Sequence, residues 1–303
     1  MLFQLDAGHI LKIRLINSVL VNPPYVHHKR RADEYIIYII KKGKMYLMEN
    51  NIKYVLEPGD FFLLEPEYVH EGYQASLCEY YYIHFRHEPM EKACFDSEQD
   101  MTMSMITRRN DSLKSDPFCY SSYGNNKILF PKYYHFSNYS DFIKVCCLLD
   151  EAAGHNKYPL EHYKLLCSCK ILEVLVETYR SYVLFITQNM SAGMPKSYGK
   201  VQDLLSYLNT GYAEKITSRN IEEITGCNFD YINRIFKQLT NKTIFAYLNT
   251  VRINHAKELI STTNMKITEI GQAVGIADLY YFSKVFKKAA GISPSAYAKG
   301  VLK

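Results

Sequence analysis

The 303-residue chain has no run approaching the 18 consecutive apolar residues of a helical membrane span, so no membrane partner is expected. None of its eight cysteines, at positions 78, 94, 119, 146, 147, 167, 169 and 227, forms the C-x-x-C pair of a zinc site. Cys167 and Cys169 stand two apart on an expected helix and point away from each other, so the cysteines read as reduced structural thiols. No low-complexity tract interrupts a composition that is 48% apolar, which argues for a globular chain throughout. Asp6, Lys12 and Arg14 break up the apolar residues of the amino terminus. That pattern predicts no secretory leader, and the cytoplasm is the expected compartment. The length allows two domains with proper cores.

Charge is unevenly shared. Residues 199–303 hold 14 Lys+Arg against 8 Asp+Glu, whereas residues 1–198 hold 22 against 23. The positive balance therefore belongs to the last third, as neutralisation of nucleic-acid phosphates requires.

That last third carries the clearest pattern. In Ile267 to Lys299, apolar Ile267, Ile270, Ala273 and Val274 recur at helical spacing, and Gly275 breaks the helix. Asp278 is placed to cap a second helix whose Phe282, Val285 and Phe286 face inward while Lys284, Lys287 and Lys288 lie off that seam. A short helix, a glycine turn and a cationic second helix make a helix-turn-helix. Upstream, Ile221, Ile224, Gly226, Asn228, Ile232, Arg234, Ile235, Phe236 and Lys237 repeat the design. From Ile232 onward the two copies superimpose at an offset of 50 residues: Ile232 on Phe282, Asn241 on Gly291, Tyr247 on Tyr297. Between them Thr243 to Ile260 reads as a helix with Ile244, Leu248, Val251, His255 and Leu259 on one face, about 27 Å long. One turn of B-DNA is about 34 Å, so both cationic helices can enter successive major grooves. Double-stranded DNA is the partner this spacing fits.

The stretch from about Lys200 to Lys299 resembles the AraC/XylS-type transcriptional regulators: IGQAVGIADLYYFSKVFKKAAGISPSAY matches their signature, and FAYLNTVRINHAKELI is similar to their linker helix. Gly271 and Glu222 stand where that family generally has a small alanine packed between helices, and a buried unpaired carboxylate at Glu222 would be expensive. The resemblance implies base contacts at Asp230, Asn233 and Arg234, with Lys237 as a further candidate, and at Leu279, Tyr280, Ser283 and Lys284 in the second unit. Arg234 can pair bidentately with guanine, and Leu279 and Tyr280 suit thymine methyl groups. Lys287 and Lys288 are placed for phosphates, although a lysine on such a helix can equally be a solvated face.

The first half reads as β structure. EYIIYIIK, Glu34 to Lys41, is a buried-strand run; Lys44–Glu49, Ile52–Leu56, Phe61–Leu64 and Glu79–Phe85 follow, separated by Gly43, Asn50-Asn51 and Pro58-Gly59 turns. Ile10 to Val21 reads as one or two strands, residues 86–127 as a long loop or irregular insertion, and Ile128 to Phe136 as a closing strand. Many short strands with turn chemistry imply a sandwich or small barrel. EPGDFFLLEPEYVHEG, Glu57 to Gly72, resembles the second half of a cupin motif, as in the sensor domains of AraC-type regulators. Asp141–Asp150 and Leu160–Ile186 read as helices. In the second, Tyr163, Leu166, Lys170, Leu172, Val176 and Tyr179 form a stripe that packs either on the barrel or on a second subunit's helix.

His27, His28, Glu34, His70 and His84 raise the question of a metal. Cupin enzymes use a histidine pair one residue apart, but adjacent His27 and His28 face opposite sides of a strand, so neither a metal nor another cofactor is expected. Tyr38, Tyr46, His70, Tyr82 and His84 are instead candidates for an organic effector pocket, aromatic walls with polar tips, unless the tyrosines simply fill the barrel. Resemblance to sugar-responsive members points to a carbohydrate. The expected fold is α+β and multidomain: a cupin-like β-barrel sensor (1–138), a helical dimerisation segment (139–187), a linker (188–199) and an all-α double helix-turn-helix (200–303). The expected protein is not an enzyme but a homodimeric regulator, by family default an activator that engages the transcription machinery. A cupin-type metal-dependent enzyme with an appended DNA-binding module is the competing class.

Overall fold

Glu34 to Lys41 runs through the middle of the amino-terminal half. In the computed structural model, which describes residues 1–88, 90–114, 126–189 and 198–301, it forms most of strand β4 (Tyr35–Gly43). The strands before it are β1 (Leu2–Asp6), β2 (Lys12–Tyr25) and β3 (Arg30–Arg31). After it come β5 (Met45–Glu49), β6 (Ile52–Leu56), β7 (Asp60–Leu64), β8 (Val69–Gly72), β9 (Ser76–Arg86) and β10 (Met90–Ala93). Helix α1 (Glu98–Lys114), most of which groups with the carboxy-terminal unit, comes next along the chain, and strands β11 (Lys127–Pro131) and β12 (Tyr133–His135) with helices α2 (Tyr139–Lys157) and α3 (Tyr163–Asn189) complete this half.

Antiparallel pairing gives a five-stranded sheet ordered β12-β7-β4-β9-β2, a four-stranded sheet β3-β8-β5-β6 and a three-stranded sheet β10-β1-β11. Ile36, Tyr38 and Ile40 of β4 join Met45, Leu47, Leu56, Phe62 and Leu64 in a core between the five- and four-stranded sheets. Ile37 and Ile39 face the other way, into a second core under α2 and α3. A strand buried on both faces has no polar positions to alternate with, which is why this run is continuously apolar.

The helices close that second core with Val145, Leu148, Leu149 and Ala152 from α2 and Cys167, Ile171, Val174 and Leu175 from α3. The Tyr81 hydroxyl donates to Asp150 Oδ1 at 2.6 Å, pinning α2 to the sheet. So α3 packs within its own chain. Its buried face is rotated from the stripe expected from sequence: Leu166 is 44% exposed, while Leu172, Val176 and Tyr179 are half-buried.

Two expectations need correction. Residues 86–127 are not one long loop, since among the described residues β10 and α1 lie there. Helix α1 buries Thr102, Met105 and Ile106 at helical spacing, but one of the three is polar and Met103 is 60% exposed, so the apolar residues alone trace no 3.6-residue period. Glu98 and Asp100 in its first turn were the available signal. Ile128 to Phe136 is two strands in different sheets. At the break between them Lys132 turns its ammonium inward to Glu49 (2.6 Å) and Glu65 (2.5 Å). The expected linker 188–199 falls largely outside the described residues.

The carboxy-terminal half is helical: α4 (Tyr198–Thr210), α5 (Ser218–Thr225), α6 (Phe229–Thr240), α7 (Ile244–Thr262), α8 (Ile267–Ala273), α9 (Leu279–Ala290) and α10 (Pro294–Val301). Two compact units divide the chain, Met1–Asp100 with Asn125–Ile186 and Met101–Gly124 with Thr187–Lys303. Among the described residues no helix is long and apolar enough to cross a membrane.

Helix α7 is 19 residues, about 28 Å, and both helix-turn-helix units pack on it. Ile253, Ala256 and Ile260 in its second half join Ile270, Val274, Phe282 and Phe286. In its first half Tyr247 meets Phe236 edge-on at 5.5 Å, and fifty residues on Tyr297 meets Phe286 at 5.6 Å. The repeat seen in sequence is thus a repeat of packing. Because the helix is buried along more than one side, its apolar residues exceed the single face read from sequence.

Candidate nucleic-acid interface and effector pocket

Each recognition helix is held at both ends. Asn228 caps α6 by accepting from Asp230 N at 3.0 Å, and Asp278 caps α9 by accepting from Tyr281 N at 2.9 Å. Asn241 and Gly291 end the two helices in the left-handed region, at φ 56° and 80°. The turns before them differ by one residue: Gly226 and Gly275 are 49 apart, whereas Asn228 and Asp278 are 50 apart. The extra residue lets Ile276 bury its side chain and donate its N–H to Gly271 O at 2.8 Å.

With Ile232, Ile235 and Phe236 buried, α6 turns Asp230, Arg234 and Lys237 to solvent. The Arg234 guanidinium lies 5.7 Å from the centre of the Tyr231 ring, which holds it on that face. In α9, Phe282 and Phe286 are buried, Leu279, Tyr280, Lys284, Lys287 and Lys288 are exposed, and Ser283 is half-buried. Tyr280, at 82% exposure, is an aromatic ring with no packing role in its own domain.

Asn233 departs from the expected set. It is half-buried, and its Oδ1 accepts from Ile244 N at 3.0 Å, satisfying an orphan donor of the first turn of α7. The equivalent pair fifty residues on is Ser283 and Pro294, and proline has no N–H to satisfy. Asn233 is therefore held by α7, while Ser283 has no such duty.

In the barrel the sequence candidates separate. Tyr38 is buried, its ring 5.5 Å from those of both His27 and Tyr80; Tyr82 follows at 6.3 Å from Tyr80. His70 is also buried, and Arg30 Nε donates to its Nε2 at 3.0 Å. Burial, with Arg30 adding, pushes His27 and His70 down to about 4, so both rings are neutral at pH 7. Burial also raises the Tyr38 hydroxyl to about 12. Tyr46 stands apart against Tyr73 at 5.7 Å, though it lines a cavity with Tyr25, His27 and Tyr80. That cavity, about 10 Å³, is close to what one water needs.

His84 meets the Tyr82 ring at 5.9 Å and is also tied to an ion pair: Nδ1 lies 2.8 Å from Glu34 Oε1 and 3.0 Å from Arg14 Nη2, and Arg14 also binds both Glu34 oxygens through Nε. A larger cleft of about 690 Å³ opens beside Glu34, lined by Arg31, Asp33, Tyr35, Glu67 and Arg86. His27 and His28 split as their spacing requires, His27 against the Tyr38 and Tyr80 rings and His28 exposed. Among the described residues no three His, Cys, Asp or Glu side chains converge as a metal site needs. The residue that sequence reasoning missed here is Arg30, an exposed arginine in a two-residue strand with no pattern to mark it.

Comparison with known proteins bears on both halves. A family model for a helix-turn-helix domain matches residues 221–300, and one for an AraC-like ligand binding domain matches residues 22–115. The uncharacterized HTH-type transcriptional regulator YisR of Bacillus subtilis is 28% identical over 281 residues, covering 90% of this chain and 88% of that protein. The raffinose operon transcriptional regulatory protein RafR of Pediococcus pentosaceus is 26% identical (89% and 86% covered), and the arabinose operon regulatory protein of Salmonella typhimurium 24% (88% and 84%). The chain belongs to the AraC/XylS-type transcriptional regulators.

Its two departures from the AraC/XylS pattern have structural reasons. Glu222 is half-buried but not unpaired: its Oε1 accepts from Phe229 N at 2.8 Å, so the carboxylate sits at the positive end of recognition helix α6. Gly271 is buried where a Cβ would come within 2.9 Å of Ile276 O and 3.4 Å of the Phe282 ring. The extra residue in the second turn brings that carbonyl close, and only glycine leaves room for it.

Proposed function

We propose that this AraC/XylS-type regulator reads DNA through Asp230, Arg234 and Lys237 of α6 and through Leu279, Tyr280, Ser283 and Lys284 of α9, with Lys287 on phosphate. The observation that carries this reading is the matched pair of capped, cation-bearing helices on one continuous α7. Selection of bound duplexes from a random pool tests it: enrichment of one motif supports it, and recovery of unrelated sequences refutes it.

The amino-terminal domain, in the same proposal, binds a small organic effector, a carbohydrate, at the Tyr38–His27–Tyr80 end of the barrel. Tyrosine hydroxyls and neutral histidines both donate and accept, as sugar hydroxyls demand, and two full-length relatives carry names of sugar operons. The rings nearly fill that space, so a sugar enters only by moving them. Such movement supplies the difference between two states through which a ligand shifts DNA affinity. The regulator acts as a cytoplasmic homodimer that activates transcription through contact with the transcription machinery. Exposed Leu165 and Leu166 on the outer side of α3 support self-association there. Repeating the duplex selection with arabinose and raffinose present tests the effector; unchanged affinity with every sugar that binds refutes the regulatory part.

A further inference from the structure

Between α7 and α9 runs a groove of about 580 Å³ whose charged lining is Lys242, Lys257, Lys284 and Lys288; among the described residues no carboxylate lines it. It does not coincide with the base-reading edge. With 100° between successive residues and Phe282 and Phe286 inward, Ser283 and Lys287 fall on one flank of α9, and Tyr281 and Lys288 on the flank toward α7. Lys284 lies between the two. The polar groups are tied in place: Lys242 Nζ donates to Thr250 Oγ1 at 3.2 Å, and Asn249 Nδ2 donates to the Tyr281 hydroxyl at 3.1 Å. Lys257, which also lines the groove, is only 8% exposed. Like charges gathered around one concavity raise its potential and favour an anion there. The apolar part of the lining is Ala246, Val285 and Ala289, with no flat surface for a base to stack on beyond the Tyr281 ring already engaged.

We propose that this groove is a phosphate-group site, distinct from the edge that reads bases. Several N–H donors converging on one concavity match the several acceptor oxygens of a phosphate. Within the DNA-binding reading, on which this rests, the phosphate is that of the duplex backbone; a free phosphorylated small molecule offers the same chemistry.

The test uses the full chain and random-sequence duplex, with affinity measured from about 50 to 200 mM salt. Lys242→Gln/Lys288→Gln is expected to lower the log–log salt slope by about two, one for each ammonium removed from a phosphate. Lys215→Gln/Lys299→Gln removes two exposed charges outside the groove and is expected to lower it by less than half as much; equal reductions overturn the proposal. In parallel, inorganic phosphate is titrated while the side-chain amide signals of Asn249 and Asn254 are followed. Saturable shifts in the wild type that vanish in the groove variant support the site and assign a free phosphate ligand. A lowered slope without such shifts supports it and assigns the duplex backbone. Neither a lowered slope nor shifts overturns it. If the wild type binds no duplex at all, the regulator reading falls, and the phosphate titration alone then decides the groove.

Discussion

Asn233→Ala separates a structural asparagine from a base-reading one. The substitution deletes the acceptor for Ile244 N, a half-buried orphan donor at the start of α7. Capping interactions of this kind are worth about 1 kcal/mol, within a range of roughly 0.5–2. For a domain of about 100 residues that corresponds to a fall in melting temperature of about 4–8 °C. Asn233→Asp keeps an acceptor at the same place, beside the positive end of α7, and is expected to hold wild-type stability within about 0.5 kcal/mol. Ser283→Ala, the matching change in the second unit, is expected to be thermally silent, because Pro294 offers no N–H. Melting of the full chain, with binding to a panel of single-base variants of the selected duplex, reads all three. Asn233→Ala should weaken every duplex alike. A variant of unchanged stability that relaxes preference at one base pair would refute the reasoning.

Other outcomes follow from the same geometry. Arg234→Ala is expected to cost about 1–3 kcal/mol of binding and to relax specificity at one base pair, checked on the same panel; uniform weakening across the panel means backbone contact only. Gly271→Ala places a methyl within 2.9 Å of Ile276 O and is expected to destabilise the carboxy-terminal domain by about 1–3 kcal/mol in urea unfolding. His27 and His70 bind protons less readily folded, at about 4, than unfolded, at 6.5. Between those values the unfolded chain therefore holds more protons, and sensor-domain stability should be full above pH 6.5 and fall as pH drops toward 4. The loss is at most roughly 3 kcal/mol for each ring. Unfolding midpoints of His27→Gln/His70→Gln should show a flatter profile through that window.

The helix-turn-helix units were legible because each feature leaves a local trace: caps at Asn228 and Asp278, left-handed ends at Asn241 and Gly291, inward phenylalanines at fixed spacing. The second role of Asn233 was not legible, because its partner, Ile244 N, is a backbone group eleven residues away, and residue type cannot distinguish a base-reader from a cap. Helix α1 was missed for lack of an apolar stripe, and β11 and β12 were merged because nothing in Ile128 to Phe136 says that its halves join different sheets. The surroundings of the pocket candidates were the least legible. Tyr38, Tyr82 and His70 do lie at the barrel interior, but the pairing of His84 with Glu34 and Arg14 depends on the register of β2, β4 and β9, which no single strand reveals.

The spacing between the two reading helices is set by α7 and tested by the bound DNA itself. Hydroxyl-radical footprinting of the full chain on a duplex carrying a single half-site should show two protected blocks on one face with centres about 10 base pairs apart. Inserting five base pairs between the blocks should leave only one protected. A single uninterrupted block, or two blocks that stay protected whatever their separation, would contradict the account.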